Sequence, residues 1–136
     1  MMREIDVEAN VDNLYKVFNF IEQQLISVNC DIKDQNRLLI AIEEIFINIA
    51  KYAYKDGNGS IKVQVSFSMN NDVITVVFID SGVKYDPLAK EDPDVGLSAA
   101  ERPIGGLGIY ITKKFVDEVF YDYKNNQNIL TIKKQI

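Results

Sequence analysis

VITVVFIDSGVKYDP, residues 73–87, begins as a strand and ends as something else. Valine, isoleucine and phenylalanine suit the pleated surface of a sheet, and here they run almost unbroken from Val73 to Ile79. The run stops at a carboxylate, Asp80, followed by Gly82 and the turn residues Asp86 and Pro87. Two readings are open. Asp-x-Gly is a common way to turn out of a strand. Alternatively, a carboxylate at a strand end accepts a hydrogen bond from an exocyclic amine. Adenine offers that donor at its 6-amino group, where guanine presents a carbonyl. A glycine two residues on lets a flat base approach the backbone.

On the N-terminal side, IKVQVSFSM (61–69) alternates as a half-buried strand, and the turn Asn70-Asn71-Asp72 makes it the hairpin partner of the first stretch. KDGNGS (55–60) is a turn. Before it lies a helix, with Asp31 or Asp34 as its cap, running to about Tyr54. Leu38, Leu39, Ile42, Ile45, Phe46, Ile49 and Ala53 form its apolar stripe. Glu44 and Asn48, four apart, share a face roughly opposite that stripe. Glu43 lies about 100° round from Glu44. Taken alone, Glu44 and Asn48 read as a solvated face beside Lys51. A first helix carries Val11, Leu14, Val17, Phe18, Ile21 and Leu25 at helical spacing, and REIDVEA (3–9) is a first strand.

On the C-terminal side, residues 84–104 contain Pro87, Pro93, Pro103 and several acids without periodicity. They read as a long loop of the kind that forms lids, with a helical turn around GLSAAE (96–101). RPIGGLGIYITKKF (102–115) follows, with Gly105, Gly106 and Gly108 directly before a helix expected over residues 107–118. Glycine weakens a helix by about 0.5–1 kcal/mol relative to alanine, so this bareness needs a reason. One is a plain loop-to-helix junction. The other is an anion, because glycines bring a phosphate close to the unpaired N–H groups of a helix N-terminus. VFYDYKN (119–125) and NILTIKK (128–134) close the chain as a hairpin. The order βααββ-loop-αββ predicts a single α+β domain over residues 1–136: a two-layer sandwich with a mostly antiparallel sheet and helices on one face.

Composition narrows the chemistry. The 136 residues are 47% hydrophobic with net charge −5, which disfavours nucleic acid and anionic membrane as partners. The charged start MMREIDVEAN is no signal segment, and no apolar run reaches the roughly 20 residues of a membrane span, so a cytoplasmic location is expected. Cys30 is the single cysteine and reads as an inert thiol. Histidine is absent, which removes the commonest general base, the commonest zinc ligand and any phosphohistidine.

Together these stretches resemble the ATP-binding domain shared by gyrase, heat-shock chaperone, sensor histidine kinase and mismatch-repair ATPases, the GHKL superfamily. Within it the chain most resembles the bacterial anti-sigma-factor serine/threonine kinases. Glu44-x-x-x-Asn48 with Tyr52 and Tyr54 is similar to their first box, DSGVKYDP to their second, IGGLGI to their third and NQNILTIKK to their closing strand. The resemblance implies ATP and Mg2+ as cofactors. It gives Asp80 the adenine amine and Gly82 the side of the base. Asn48 would hold the magnesium, and Glu44 would be the general base. Gly105, Gly106, Leu107 and Gly108 would cradle the phosphates, residues 84–104 would form the lid, and Arg102 would lie near the γ-phosphate. Tyr52 and Ala53 stand where relatives often have His-Gly, and Lys84 where a second glycine often follows. The implied activity is phosphorylation of a small antagonist protein, with a sigma factor as a further partner. Dimerisation, usual in those kinases, is expected through the first strand and helix. The competing reading is a nucleotide-switched module that grips a partner without phosphoryl transfer.

Overall fold

The computed structural model describes residues 1–89 and 107–136. The expected central hairpin is present. Strand β2 (Ser60–Phe67) pairs antiparallel with β3 (Val73–Asp80), from Ile61 opposite Asp80 to Phe67 opposite Ile74. The turn is closed by one hydroxyl. Ser68 Oγ donates to the Asp72 carboxylate at 2.6 Å and accepts from the Asp72 and Val73 amides at 3.2 and 2.9 Å. Asn71 takes the left-handed conformation that this turn requires, with φ 56°.

Strand β1 (Arg3–Glu8) adds to β2, while β5 (Gln127–Gln135) adds to β3 and carries β4 (Glu118–Lys124) on its other side. The five-stranded order is β1-β2-β3-β5-β4, and every pairing is antiparallel. The β4–β5 hairpin turns through Asn125 and Asn126, both at positive φ (55° and 61°), as a two-residue turn with the right twist demands.

Two-residue periodicity sorts the sheet. Ile61, Val63 and Val65 of β2, Ile74, Val76 and Phe78 of β3, and Leu130 and Ile132 of β5 are buried on one face. Helices α1 (Leu14–Ser27) and α2 (Ile32–Tyr52) cover that face, burying Val17, Ile21 and Leu25 from α1 and Leu38, Ile42 and Phe46 from α2. Each such side chain contributes about 1.5–3 kcal/mol, so the layer contact holds the fold. Asp31 is the cap of α2, accepting the Lys33 amide at 3.2 Å. Lys134 is also in phase with the core residues of β5. Its ammonium is buried 3.4 Å from Asp34, in the first turn of α2.

The expected antiparallel sheet is present, with every pairing antiparallel. Two expected helix ends shift. Helix α2 stops at Tyr52, two residues short. Helix α3 (Leu107–Phe115) ends three residues before the expected Glu118, because the sheet takes over its end. The Asp117 amide donates to the Lys133 carbonyl at 2.9 Å, and Glu118 opens β4 opposite Lys133. The expected helical turn at 96–101 and most of the 84–104 loop lie outside the described residues. Of that loop, Pro87–Ala89 forms a single 3-10 turn.

Candidate functional site

Asp80 ends β3 on the core face, in phase with Ile74, Val76 and Phe78, and is only 5% exposed. Its cross-strand neighbour is Asn128 of β5, likewise in phase with Leu130 and Ile132 and buried. The two side chains are joined: Asn128 Nδ2 donates to Asp80 Oδ1 at 2.9 Å. The Gly82 amide donates to the same oxygen at 2.9 Å, closing the strand-end turn. The turn reading of Asp-x-Gly is therefore correct, but it engages only one carboxylate oxygen.

The same Asn128 reaches the start of the following loop. Its Nδ2 donates to the Val83 carbonyl at 2.9 Å, while its Oδ1 accepts from the Tyr85 amide at 3.1 Å and from the Tyr121 hydroxyl. Burial pushes the Tyr121 phenol up from its ordinary value; the Tyr85 backbone bond opposes this, and the Asp86 and Asp80 carboxylates add to the rise. The stability linked to that proton is fully present below the ordinary tyrosine value of about 10. It is lost as pH rises through the raised folded value. Tyr121→Phe should flatten the alkaline fall in stability, measured by denaturant unfolding across that range.

Gly82 is required by packing. A Cβ there would land on the Ala53 carbonyl at the C-terminal end of α2. That carbonyl accepts the Val83 amide at 2.7 Å, so the loop after β3 docks directly on the helix end. Tyr54 braces the junction: its hydroxyl donates to the Ser60 carbonyl at 2.6 Å and accepts the Ser81 amide at 2.8 Å. A clash with backbone cannot be relieved by a rotamer change. Gly82→Ala should therefore destabilise by about 1–3 kcal/mol, seen as a drop of several degrees in Tm by thermal denaturation.

At the other end of the site, α2 packs against α3. A Cβ on Gly108, in the first turn of α3, would lie 2.8 Å from Glu44 Oε2. Glu44 therefore holds its carboxylate against the N-terminal turn of α3, half-buried rather than fully solvated. That turn is fixed from within by buried Thr112, whose hydroxyl donates to the Gly108 carbonyl at 3.0 Å. Asn48, one turn along α2, is exposed. Glu43 is also half-buried.

Helix α2 thus links two local constellations. Asp80, Gly82 and Asn128 gather beside its C-terminal end, and Glu44 and Gly108 meet near its middle, with Asn48 between. From Glu44 to Ala53 the helix rises about 13 Å. Gly105, Gly106 and Arg102 lie outside the described residues, and Leu107 is described only as the first residue of α3. Lys84 places its ammonium 5.1 Å from the centre of the Tyr123 ring. Tyr52, in the last turn of α2, is 70% exposed. Sequence reasoning gave no role to Asn128 or Tyr121, and it named Tyr54 only as part of the first box. A signal existed for Asn128, since it is a polar residue in phase with Leu130 and Ile132.

Two shallow clefts, of about 300 and 360 Å³, open among the described residues. One lies between Leu88 and the end of α3, the other beside Tyr54 and Gly82. Neither is lined by Glu44, Asn48 or Asp80. Among the described residues, no group of three or more Cys, Asp or Glu is placed to hold a metal. A magnesium ion bound through phosphates and one or two protein oxygens needs no such group. Among them, too, no helix is long and apolar enough to cross a membrane.

Burial and neighbouring carboxylates also bear on Cys30. Burial first, then Asp34 and Asp31, push its thiol up, while Lys134 opposes them. That agrees with the expectation of an inert thiol, since the thiolate is the reactive form.

Comparison with known proteins extends the picture. A serine-protein kinase RsbW of Bacillus licheniformis is 32% identical over 94 residues, covering 65% of this chain and 56% of that protein. One from Staphylococcus aureus is 29% identical over 112 residues, covering 78% and 67%. The chain thus spans little more than half the length of the first of these relatives. Among solved structures, the RsbU and RsbW domains of Rv1364c from Mycobacterium tuberculosis superpose with a TM-score of 0.70 at 16% identity. They cover 99% of this chain and 32% of that one, a likeness of fold. The family model of the histidine kinase-like ATPase domain matches residues 7–134, from β1 to β5, and takes in Glu44, Asn48, Asp80, Gly82 and Gly108. By that match the chain belongs to the histidine kinase-like ATPase domain family.

Proposed function

We propose that this chain is an ATP-dependent protein serine/threonine kinase of the anti-sigma-factor type. It acts in the cytoplasm on a small antagonist protein, with a sigma factor as a second partner and a homodimer formed through β1 and α1. The observation that carries the ATP reading is the span of α2. Asp80, read as the purine acceptor, lies beside the C-terminal end of that helix with Gly82 and Asn128, and Gly108 at the start of α3 lies against Glu44 near its middle, with Asn48 between them in sequence. The residues fit the nucleotide. Asp80 keeps one oxygen for the adenine amine; the bare faces of Gly82 and Gly108 are taken up by the Ala53 carbonyl and the Glu44 carboxylate, so their places beside the base and the phosphates rest on the resemblance. Gly105, Gly106, Leu107 and Arg102 keep the phosphate-binding roles that the resemblance implies. Asn48 is the magnesium ligand, and the bound ion supplies charge neutralisation on the phosphates. Glu44 receives the proton of the acceptor hydroxyl.

The names of the relatives support the kinase reading, as does the lack of histidine, which leaves a carboxylate as the natural base. Incubation with γ-labelled ATP, magnesium and small proteins encoded beside this chain should label a serine or threonine of one of them. ATP binding without labelling of any would instead favour the nucleotide-switched binding module.

A further inference from the structure

We infer that Asn128 is the positioning residue for nucleobase recognition, acting through Asp80. This rests on the reading of Asp80 as the acceptor of the base amine. An asparagine side chain has two N–H donors and an oxygen with two lone pairs. Asn128 uses all four. The donors go to Asp80 Oδ1 and the Val83 carbonyl, both at 2.9 Å. The oxygen takes the Tyr85 amide at 3.1 Å and the Tyr121 hydroxyl. Full use fixes which end of the amide faces Asp80, because turning it over would set acceptor against acceptor at Asp80 and Val83 and donor against donor at the Tyr85 amide, with only the Tyr121 hydroxyl able to serve either way.

The consequence falls on the carboxylate. Asp80 Oδ1 is held by two donors, Asn128 Nδ2 and the Gly82 amide. Among the described residues Asp80 Oδ2 takes no hydrogen bond, and no fully buried side-chain oxygen or nitrogen lacks a partner. The 5% of Asp80 that is exposed therefore includes Oδ2. One oxygen is fastened inward and the other presented outward, which is a preorganised acceptor for one donor. The same amide holds Val83 and Tyr85, so the backbone beside the base is set by the residue that aims the carboxylate.

The test compares Mg-ATP with Mg-purine riboside triphosphate, which lacks the 6-amino group, by calorimetry on the full chain. The native chain should prefer ATP by about tenfold or more, as for a hydrogen bond to a charged group. Asn128→Ala should bring that ratio close to one while leaving affinity for the amine-free analogue within a few-fold. A residue that merely supports the fold would lower both affinities together and keep the ratio; that result, or an unchanged ratio with unchanged affinities, overturns the inference. If Asn128→Ala shows no cooperative thermal transition, Tyr121→Phe decides. It removes one bond to the amide oxygen and should lower the ratio several-fold with the analogue's affinity held; an unchanged ratio overturns the inference. Equal binding of the two nucleotides by the native chain would instead show that the Asp80 reading itself fails, and the inference with it.

Discussion

Glu44→Gln leaves Mg-ATP affinity within a few-fold of the native chain and removes nearly all phosphoryl transfer to the protein acceptor. Transfer of a phosphoryl group depends mostly on positioning and charge neutralisation, which on this account fall to Asn48, the bound magnesium and the start of α3. The remaining demand is the proton of the acceptor hydroxyl. A positioned base contributes typically about 10²–10⁴-fold, and glutamine keeps the shape of Glu44 but cannot take the proton. Gly108→Ala tests the same geometry from the opposite helix. Its Cβ would fall 2.8 Å from Glu44 Oε2, the far end of a flexible side chain. The carboxylate should therefore move while the helices stay, and transfer should drop with little loss of Tm. Glu43→Gln is the control and should do neither. Single-turnover transfer assays alongside calorimetry separate the two quantities. Native-rate transfer by Glu44→Gln would remove the catalytic assignment.

Asp80→Leu abolishes the preference for adenine and weakens ATP binding by about 10–100-fold, the worth of one hydrogen bond to a charged group. It also leaves Asn128 Nδ2 and the Gly82 amide without their shared acceptor, so the variant's fold must be checked by circular dichroism. From the sequence alone Asp80→Asn looks mild, since an amide oxygen can still meet the amine. The structure makes it harsher. Turned one way, its NH2 group faces the base amine; turned the other, it faces Asn128 Nδ2 and the Gly82 amide. Either way a donor meets a donor. Asp80→Asn should lie close to Asp80→Leu, and calorimetry with ATP ranks the two.

Much of the fold was legible because local patterns and burial agree. The alternation in β2 and the Asn-rich turns mark the hairpins, and Asp31 or Asp34 marks the start of α2, with the structure choosing Asp31. Asp80 was legible as a candidate site residue because a carboxylate breaks an apolar run at a strand end. Its partner was not, because the neighbour of Asp80 is set by the β3–β5 register, a pairing 48 residues apart in sequence. Glu44 read as solvated on its own helix. Only the packing of α3 onto α2 brings Gly108 against it, and helical periodicity does not show which second helix covers a polar face. The end of α3 was missed for a related reason. Asp117 and Glu118 suit a helix locally, but they are captured by β5.

Calorimetric titration of the native chain with Mg-ATP and Mg-GTP under matched conditions tests the central claim most directly. On the proposed assignment Asp80 Oδ2 would face an amine in one nucleotide and a carbonyl oxygen in the other. ATP should therefore bind at least about tenfold more tightly. Equal affinities, or tighter binding of GTP, would contradict the account.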